Sequence, residues 1–222
     1  MAPVCGGHFN PAVSLGVFFK EGKSKFSKNA PFLLIIWFGQ ISGATFGAFI
    51  SWLGQQKANI NTDKNGPQMN QLYPGIALLC PRIENYNNNT ACQPEYYLGM
   101  FIIEFLMTFV FVNVILSIKY HNGANDLLIN ALAIGLTLFG VISISGGISG
   151  GCINPAVGLV QTIFQNIVFK SYPYTWKGPA GALKFNAIGY ASIWTYIFAP
   201  AFGGIVAGLF CHVNGWAIKS LE

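Results

Sequence analysis

Gly150-Gly151-Cys152-Ile153-Asn154-Pro155-Ala156-Val157 reads as a loop that turns into a helix. Two glycines open backbone conformations closed to other residues. Asn154 is a favoured N-cap, and Pro155 stands at the first helical position, where its missing N–H costs nothing. The apolar run beyond it, Val157 to Phe164, is too short to cross a bilayer. The same signal stands earlier as Gly6-Gly7-His8-Phe9-Asn10-Pro11-Ala12-Val13-Ser14-Leu15, and the two ten-residue windows agree at seven positions, 144 residues apart. A capped helix start repeated between long apolar segments decides the fold.

The composition sets the solvent in which that fold must work. The 222 residues are 53% hydrophobic and 9% charged. A soluble domain is nearer ~25% charged, so the chain is expected to sit in a lipid bilayer. Its net charge of +5 belongs to loop lysines near lipid headgroups, and no basic stripe interleaved with aromatics points to nucleic acid. Met1 to Phe9 carries neither a charged leader nor a long apolar run, so no cleavable signal peptide is expected.

The whole chain, residues 1–222, reads as one all-α membrane domain. Asn10 to Phe19 forms a half-length helix, ~15 Å long at ~1.5 Å per residue, and Lys20 to Lys28 follows as a loop in water. Pro31 to Leu53 is long enough to span, with Gly39, Ser42, Gly43, Ala44, Gly47 and Ala48 offering a small-residue packing face. After a polar, Asn-rich stretch from Gly54 to Glu95 come spans at Tyr97–Ile118 and Leu127–Ile144. The second half-helix runs from Asn154 to Phe169, Lys170 to Phe185 is a polar connection, and Asn186 to Phe210 is the fourth span before a short tail. Four lysines in the 20–28 turn place that turn in the cytoplasm. The half-helices then enter from opposite faces and meet near the midplane, as in inverted repeats built on discontinuous helices. Irregular backbone at that depth needs protein or an aqueous path around it.

Paired Asn-Pro-Ala boxes, Asn10-Pro11-Ala12 and Asn154-Pro155-Ala156, each behind Gly-Gly, resemble the major intrinsic protein family, the aquaporins and aquaglyceroporins. Glu104 opening Glu-Phe-Leu-Met-Thr, Gly39-Gln40 with Gly43-Ala44, and Trp194 to Gly204 strengthen the resemblance, which covers essentially the whole chain. It implies an aquaporin-like inverted-repeat bundle, a homotetramer in the bilayer, and passive passage of water and small neutral solutes such as glycerol, urea, ammonia or hydrogen peroxide. The family has six spans where this chain reads as four, as if the first two were lacking. On that count the chain as written is expected to make no working pore alone. A non-conducting membrane or junction protein of the same fold is the other reading.

The chemistry of the boxes follows from the helix ends. Each half-helix points its positive dipole end and free N–H groups at the midplane. The Asn10 and Asn154 amides donate to a passing oxygen while carbonyls of Gly6, Gly7, His8, Gly150 and Gly151 accept. Two converging positive ends disfavour cations, including hydronium, but not neutral solutes. Most family members follow the second box with arginine; here Val157 stands there. By the family pattern Ile142, Gly151 and Val157 form an apolar, arginine-free constriction, similar to that of plant vacuolar members. Of 12 basic and 7 acidic residues, Glu104 alone falls within an expected span. It faces an aqueous path as a functional group or serves as a buried structural acid. The three histidines show no metal spacing, and no enzyme constellation or cofactor motif stands out. Cys80 and Cys92 share the Asn-rich stretch, as a disulfide or as two free thiols, and Asn88-Asn89-Thr90 is a glycosylation sequon. Cys152 beside the second box either reaches the pore mouth or packs.

Overall fold

The computed structural model describes residues 7–58, 94–120, 124, 126–171, 175–178, 181–184 and 193–219. Gly6, His121, Cys80, Cys92 and the sequon lie outside them. Asn10, in extended backbone, caps α1 (Pro11–Glu21), with its Oδ1 accepting from the Ala12 N–H. Gly22 at φ +81° ends α1, a 3-10 turn follows at Lys23–Lys25, and α2 (Phe26–Ala58) begins at once. The water loop expected over 20–28 is thus largely helical. The Phe26 ring stacks on Phe18 at 4.5 Å and meets Phe19 edge-on at 5.6 Å, so an aromatic contact closes the turn. Glu21 adds a 2.6 Å bond from Asn29 Nδ2. These ties start α2 five residues ahead of Pro31, which lies inside the helix.

The remaining elements are α3 (Pro94–Tyr120), α4 (Leu127–Ser145), α5 (Pro155–Ser171), β1 (Thr175–Gly178), β2 (Gly181–Lys184) and α6 (Ile193–Lys219). Asp126 caps α4 by accepting from the Leu128 N–H at 2.7 Å. The polar connection before α6 contains an antiparallel hairpin, with Thr175 opposite Lys184 and Gly178 opposite Gly181. Helix α6 continues nine residues past the expected end at Phe210, through what reads as a tail. Ala207, Gly208 and Cys211 still pack there, and His212 Nδ1 donates to the Lys20 carbonyl at 2.8 Å. Residues 186–192 of the expected fourth span lie outside the described residues.

Among the described residues four segments are long and apolar enough to cross a membrane: Lys23–Gly54, Tyr97–Tyr120, Leu127–Ser145 and Ile193–Ala217. The chain is an all-α, multi-pass integral membrane protein whose core lies where α1, α3 and α6 meet. Ala12, Val112, Leu116 and Ala207 are fully buried there, with Ile153 beside them. Backbones approach because side chains are missing. A Cβ on Gly204 would land on the Ala12 carbonyl, one on Gly208 on the Gly16 carbonyl, and one on Gly203 would stand 2.6 Å from the Phe105 carbonyl. Small residues at such crossings supply close packing, which drives helix association in lipid. The small-residue face expected on α2 behaves differently. Gly39, Gly43 and Gly47 meet nothing within 4 Å among the described residues, whereas Ala48 is buried. Helix α2 turns the stripe Trp37, Ile41, Ala44, Ala48 and Trp52 inward instead, with Trp52 edge-on to Phe164 of α5 at 6.2 Å.

Candidate functional site

The loop leading into α5 is built on backbone that few residues tolerate. Gly150 and Gly151 have φ of +90° and +64°, and Ile153 follows at +52°. A Cβ on Gly151 would stand 2.9 Å from Ser145 Oγ and 3.3 Å from Ile142 Cα, so conformation and space both require glycine there. A β-branched residue in the left-handed region is an outlier that costs about 1–3 kcal/mol and persists only when its surroundings over-determine it. Here they do. Glu104, fully buried on α3, accepts from Ser149 Oγ at 2.6 Å, the Cys152 N–H at 2.9 Å and the Ile153 N–H at 2.7 Å. Ser149 Oγ in turn accepts from the Gly151 N–H at 3.2 Å, and Tyr196 Oη donates to the Ser149 carbonyl at 2.6 Å. These three bonds tie Glu104 to the loop.

Beyond the loop, Asn154 caps α5 by accepting from the Ala156 and Val157 N–H groups at 3.1 and 3.4 Å. Its Nδ2 donates to the Phe9 carbonyl at 3.2 Å, while Asn10 Nδ2 donates to the Ile153 carbonyl at 2.8 Å. Each box asparagine thus reaches across to the backbone just ahead of the other. The two helix starts face one another, and their positive ends converge. A carboxamide has two N–H donors, so one on each asparagine is taken by this cross-tie and one is left.

The first loop is held by other means. Gly7 has φ +69°, matching Gly151, but Phe9 is not in the left-handed region and is 67% exposed where Ile153 is 1% exposed. Gln40 of α2 donates from Nε2 to the His8 carbonyl at 2.7 Å and to Ser14 Oγ at 3.0 Å. The His8 carbonyl therefore already holds one donor, with its second lone pair left. The His8 ring stands 3.3 Å from Lys119 Nζ of α3.

Of the residues expected at a constriction, the fold sets Ile142 directly against Gly151, and Val157 lies half-buried on the first turn of α5. Pro11, Ala12, Pro155 and Ala156 are buried in the two first turns. Cys152 packs: its thiol donates to the Asn154 carbonyl at 3.2 Å. Ser149, Tyr196, Gln40 and Lys119 carry much of this geometry and were not legible as site residues. The signal available for Gln40 and Ser149 is polarity inside or beside an apolar segment; nothing local distinguishes Lys119. Among the described residues no group of three His, Cys, Asp or Glu could hold a metal ion.

The sequence pattern of the family described as major intrinsic protein matches residues 1–211. Glycerol uptake facilitator protein-like 6 of Lactiplantibacillus plantarum is 26% identical over 212 residues, 96% of this chain and 76% of that protein. Glycerol uptake facilitator protein 3 of the same bacterium is 30% identical over 193 residues, 82% of this chain and 69% of that protein. The crystal structure of the aquaglyceroporin from Plasmodium falciparum covers the whole chain with a TM-score of 0.63 at 21% identity, and the chain covers 78% of it. That likeness is one of fold.

Proposed function

This chain belongs to the major intrinsic protein family, and on that premise we propose that it is a passive membrane channel for small neutral solutes, glycerol first among them. The observation that carries this reading is the reciprocal bond between the boxes, Asn10 Nδ2 to the Ile153 carbonyl and Asn154 Nδ2 to the Phe9 carbonyl. Two half-helices fixed end to end leave one amide donor each for a hydroxyl or water oxygen. Nearby carbonyls of Gly7, His8 and Gly150 accept in return, as Gly6 would. No covalent step is involved. The boxes lower the loss a solute suffers when it leaves bulk water, because they replace part of its hydration with fixed donors and acceptors.

Selectivity follows from the constriction. Ile142, Gly151 and Val157 supply no fixed charge, so the path is wider and less demanding of its solute than one closed by arginine. Glycerol uptake by the similar bacterial proteins is named for those proteins, and the apolar constriction is what extends a polyol reading to this one. The assembly is a homotetramer in the bilayer.

The test is solute flux. Residues 1–222 and a form extended by two upstream spans are each reconstituted into lipid vesicles, and swelling is followed by light scattering under glycerol, urea and osmotic gradients. Glycerol entry well above that of empty vesicles, with no dissipation of an imposed proton gradient, is the expected result. Entry from the extended form alone agrees with the expectation that the chain as written makes no pore by itself, whereas entry equal to that of empty vesicles from both forms overturns the channel reading and leaves a non-conducting protein of the same fold.

A further inference from the structure

The contact between Lys119 and His8 joins the end of a span to the loop ahead of the first box, and the reading of the boxes as a pore does not use it. An ammonium has donors only. At 3.3 Å from Lys119 Nζ, His8 Nε2 must therefore be the unprotonated acceptor, with the ring proton on Nδ1 and the ring neutral. The pair carries a single positive charge, on the lysine. Among the described residues no carboxylate lies within 4 Å of Lys119, so Glu21 offsets this charge only in part and from further away. Glu21, the acid of this rim, is engaged elsewhere. Its Oε2 accepts from Asn29 Nδ2 at 2.6 Å and lies 3.8 Å from Lys25 Nζ, and its Oε1 accepts from Tyr120 Oη at 3.4 Å. Lys20 Nζ lies 3.3 Å from the centroid of the Tyr120 ring on the same rim.

The ring that receives Lys119 is itself fixed in place. Gln40 holds the His8 carbonyl, Gly7 supplies the turn before it, and the next carbonyl, of Phe9, is tied to Asn154. The ammonium is thus seated two residues ahead of Asn10, on the side of the boxes that carries the lysine turn. At the second box, Val157 places no charge.

We propose that Lys119, seated on the His8 ring, is a specificity-determining residue of the pore, fixing a positive charge beside the path and excluding cations where no box arginine does so. The proposal rests on the pore reading. A cation approaching the first box meets Coulomb repulsion from this exposed ammonium, reduced but not abolished by solvent, whereas a neutral polyol does not.

The experiment compares ion leak with glycerol flux in the same vesicles for wild type, Lys119→Met, Lys119→Glu and Lys119→Cys. Glycerol flux reports that the pore is assembled, and the reversal potential under a salt gradient reports which ion crosses. The ratio of cation leak to glycerol flux is expected to rise about tenfold in Lys119→Met and further in Lys119→Glu, the scale of one removed or reversed charge near the path. Treating Lys119→Cys with a cationic thiol reagent should restore exclusion, and an anionic one should worsen it, with treated wild type as the control for the native cysteines. Restoration on one folded protein keeps the test valid if the methionine variant is unstable. Glycerol flux with an unchanged leak ratio in every variant overturns this inference and leaves the pore reading standing. Wild type without glycerol flux in either form removes both.

Discussion

The two half-helices begin with nearly the same ten residues and are held in place by different means. The loop before α5 is pinned from ahead: Glu104 takes three donors and forces Ile153 into the left-handed region, sealed from solvent. The loop before α1 has Gln40 on one carbonyl and Lys119 on one ring, and its Phe9 stands in the open. What secures α1 is its flank, where Gly204 and Gly208 of α6 let the two backbones touch. A capped helix start specifies where a helix begins. Where that start sits in space is decided by partners far along the chain.

The largest effect should come from removing the pin. Glu104→Ala orphans the Cys152 and Ile153 N–H groups at about 1–3 kcal/mol each, a large part of a marginal stability, while the Ser149 hydroxyl falls back on the Ser145 carbonyl 3.3 Å away. Its melting temperature in detergent and its glycerol flux should both collapse. Glu104→Gln should fall between, since one amide face turns donors toward donors. A Glu104→Ala variant that melts and conducts like wild type would mean the second loop stands on its own cap, and the contrast between the loops would dissolve.

Next is the flank. Gly204→Ala drives a Cβ into the Ala12 carbonyl, and backbone cannot move aside as a flexible side chain would. A cost of about 1–3 kcal/mol is expected from overpacking, more than the ~1 kcal/mol that alanine gains over glycine in a helix. Gly43→Ala on α2, which meets nothing among the described residues, is the matched control and should not lower the melting temperature. A penalty there as large as at Gly204 would show that α2 is covered as closely as α6.

The cross-tie separates the boxes more finely. Asn10→Asp and Asn154→Asp keep the cap acceptor but turn an oxygen toward the opposing carbonyl. Asn10 is the more buried and makes the shorter bond, 2.8 against 3.2 Å. Asn10→Asp should therefore cost about 1–3 kcal/mol in stability, and Asn154→Asp less. Both should weaken cation exclusion, because a carboxylate at converging positive helix ends attracts cations. Equal stability losses would say that the two boxes are equivalent after all.

Val157→Arg should perturb stability least and selectivity most. An arginine adds five donors and a fixed charge where Val157 is half-buried, so glycerol flux should drop severalfold more than osmotic water flux. A parallel fall of both would mean the path had closed, and the assignment of Ile142, Gly151 and Val157 as the constriction would fail.

The class of molecule, its spans and its two capped half-helices were legible from the residues alone. Hydropathy is a property of a stretch, and an Asn-Pro cap is a property of one turn, so both can be read without knowing what lies nearby. The start of α2 at Phe26 and the run of α6 to Lys219 were not legible, since the contacts that fix them, Phe26 on Phe18 and His212 on Lys20, are side-chain encounters. Nor was the full inward face of α2: of the small residues at helical spacing Ala44 and Ala48 turn inward, while among the described residues Gly39, Gly43 and Gly47 meet nothing. The ties at the boxes also reach far along the chain. Glu104 binds a backbone 49 residues on, Lys119 meets a ring 111 residues back, and Asn10 donates across 143 residues. Sequence decided which groups are available to bond; only the packing of α3, α4 and α6 around the helix ends decided which of them met, because in lipid a buried donor takes the acceptor that the packed helices place beside it.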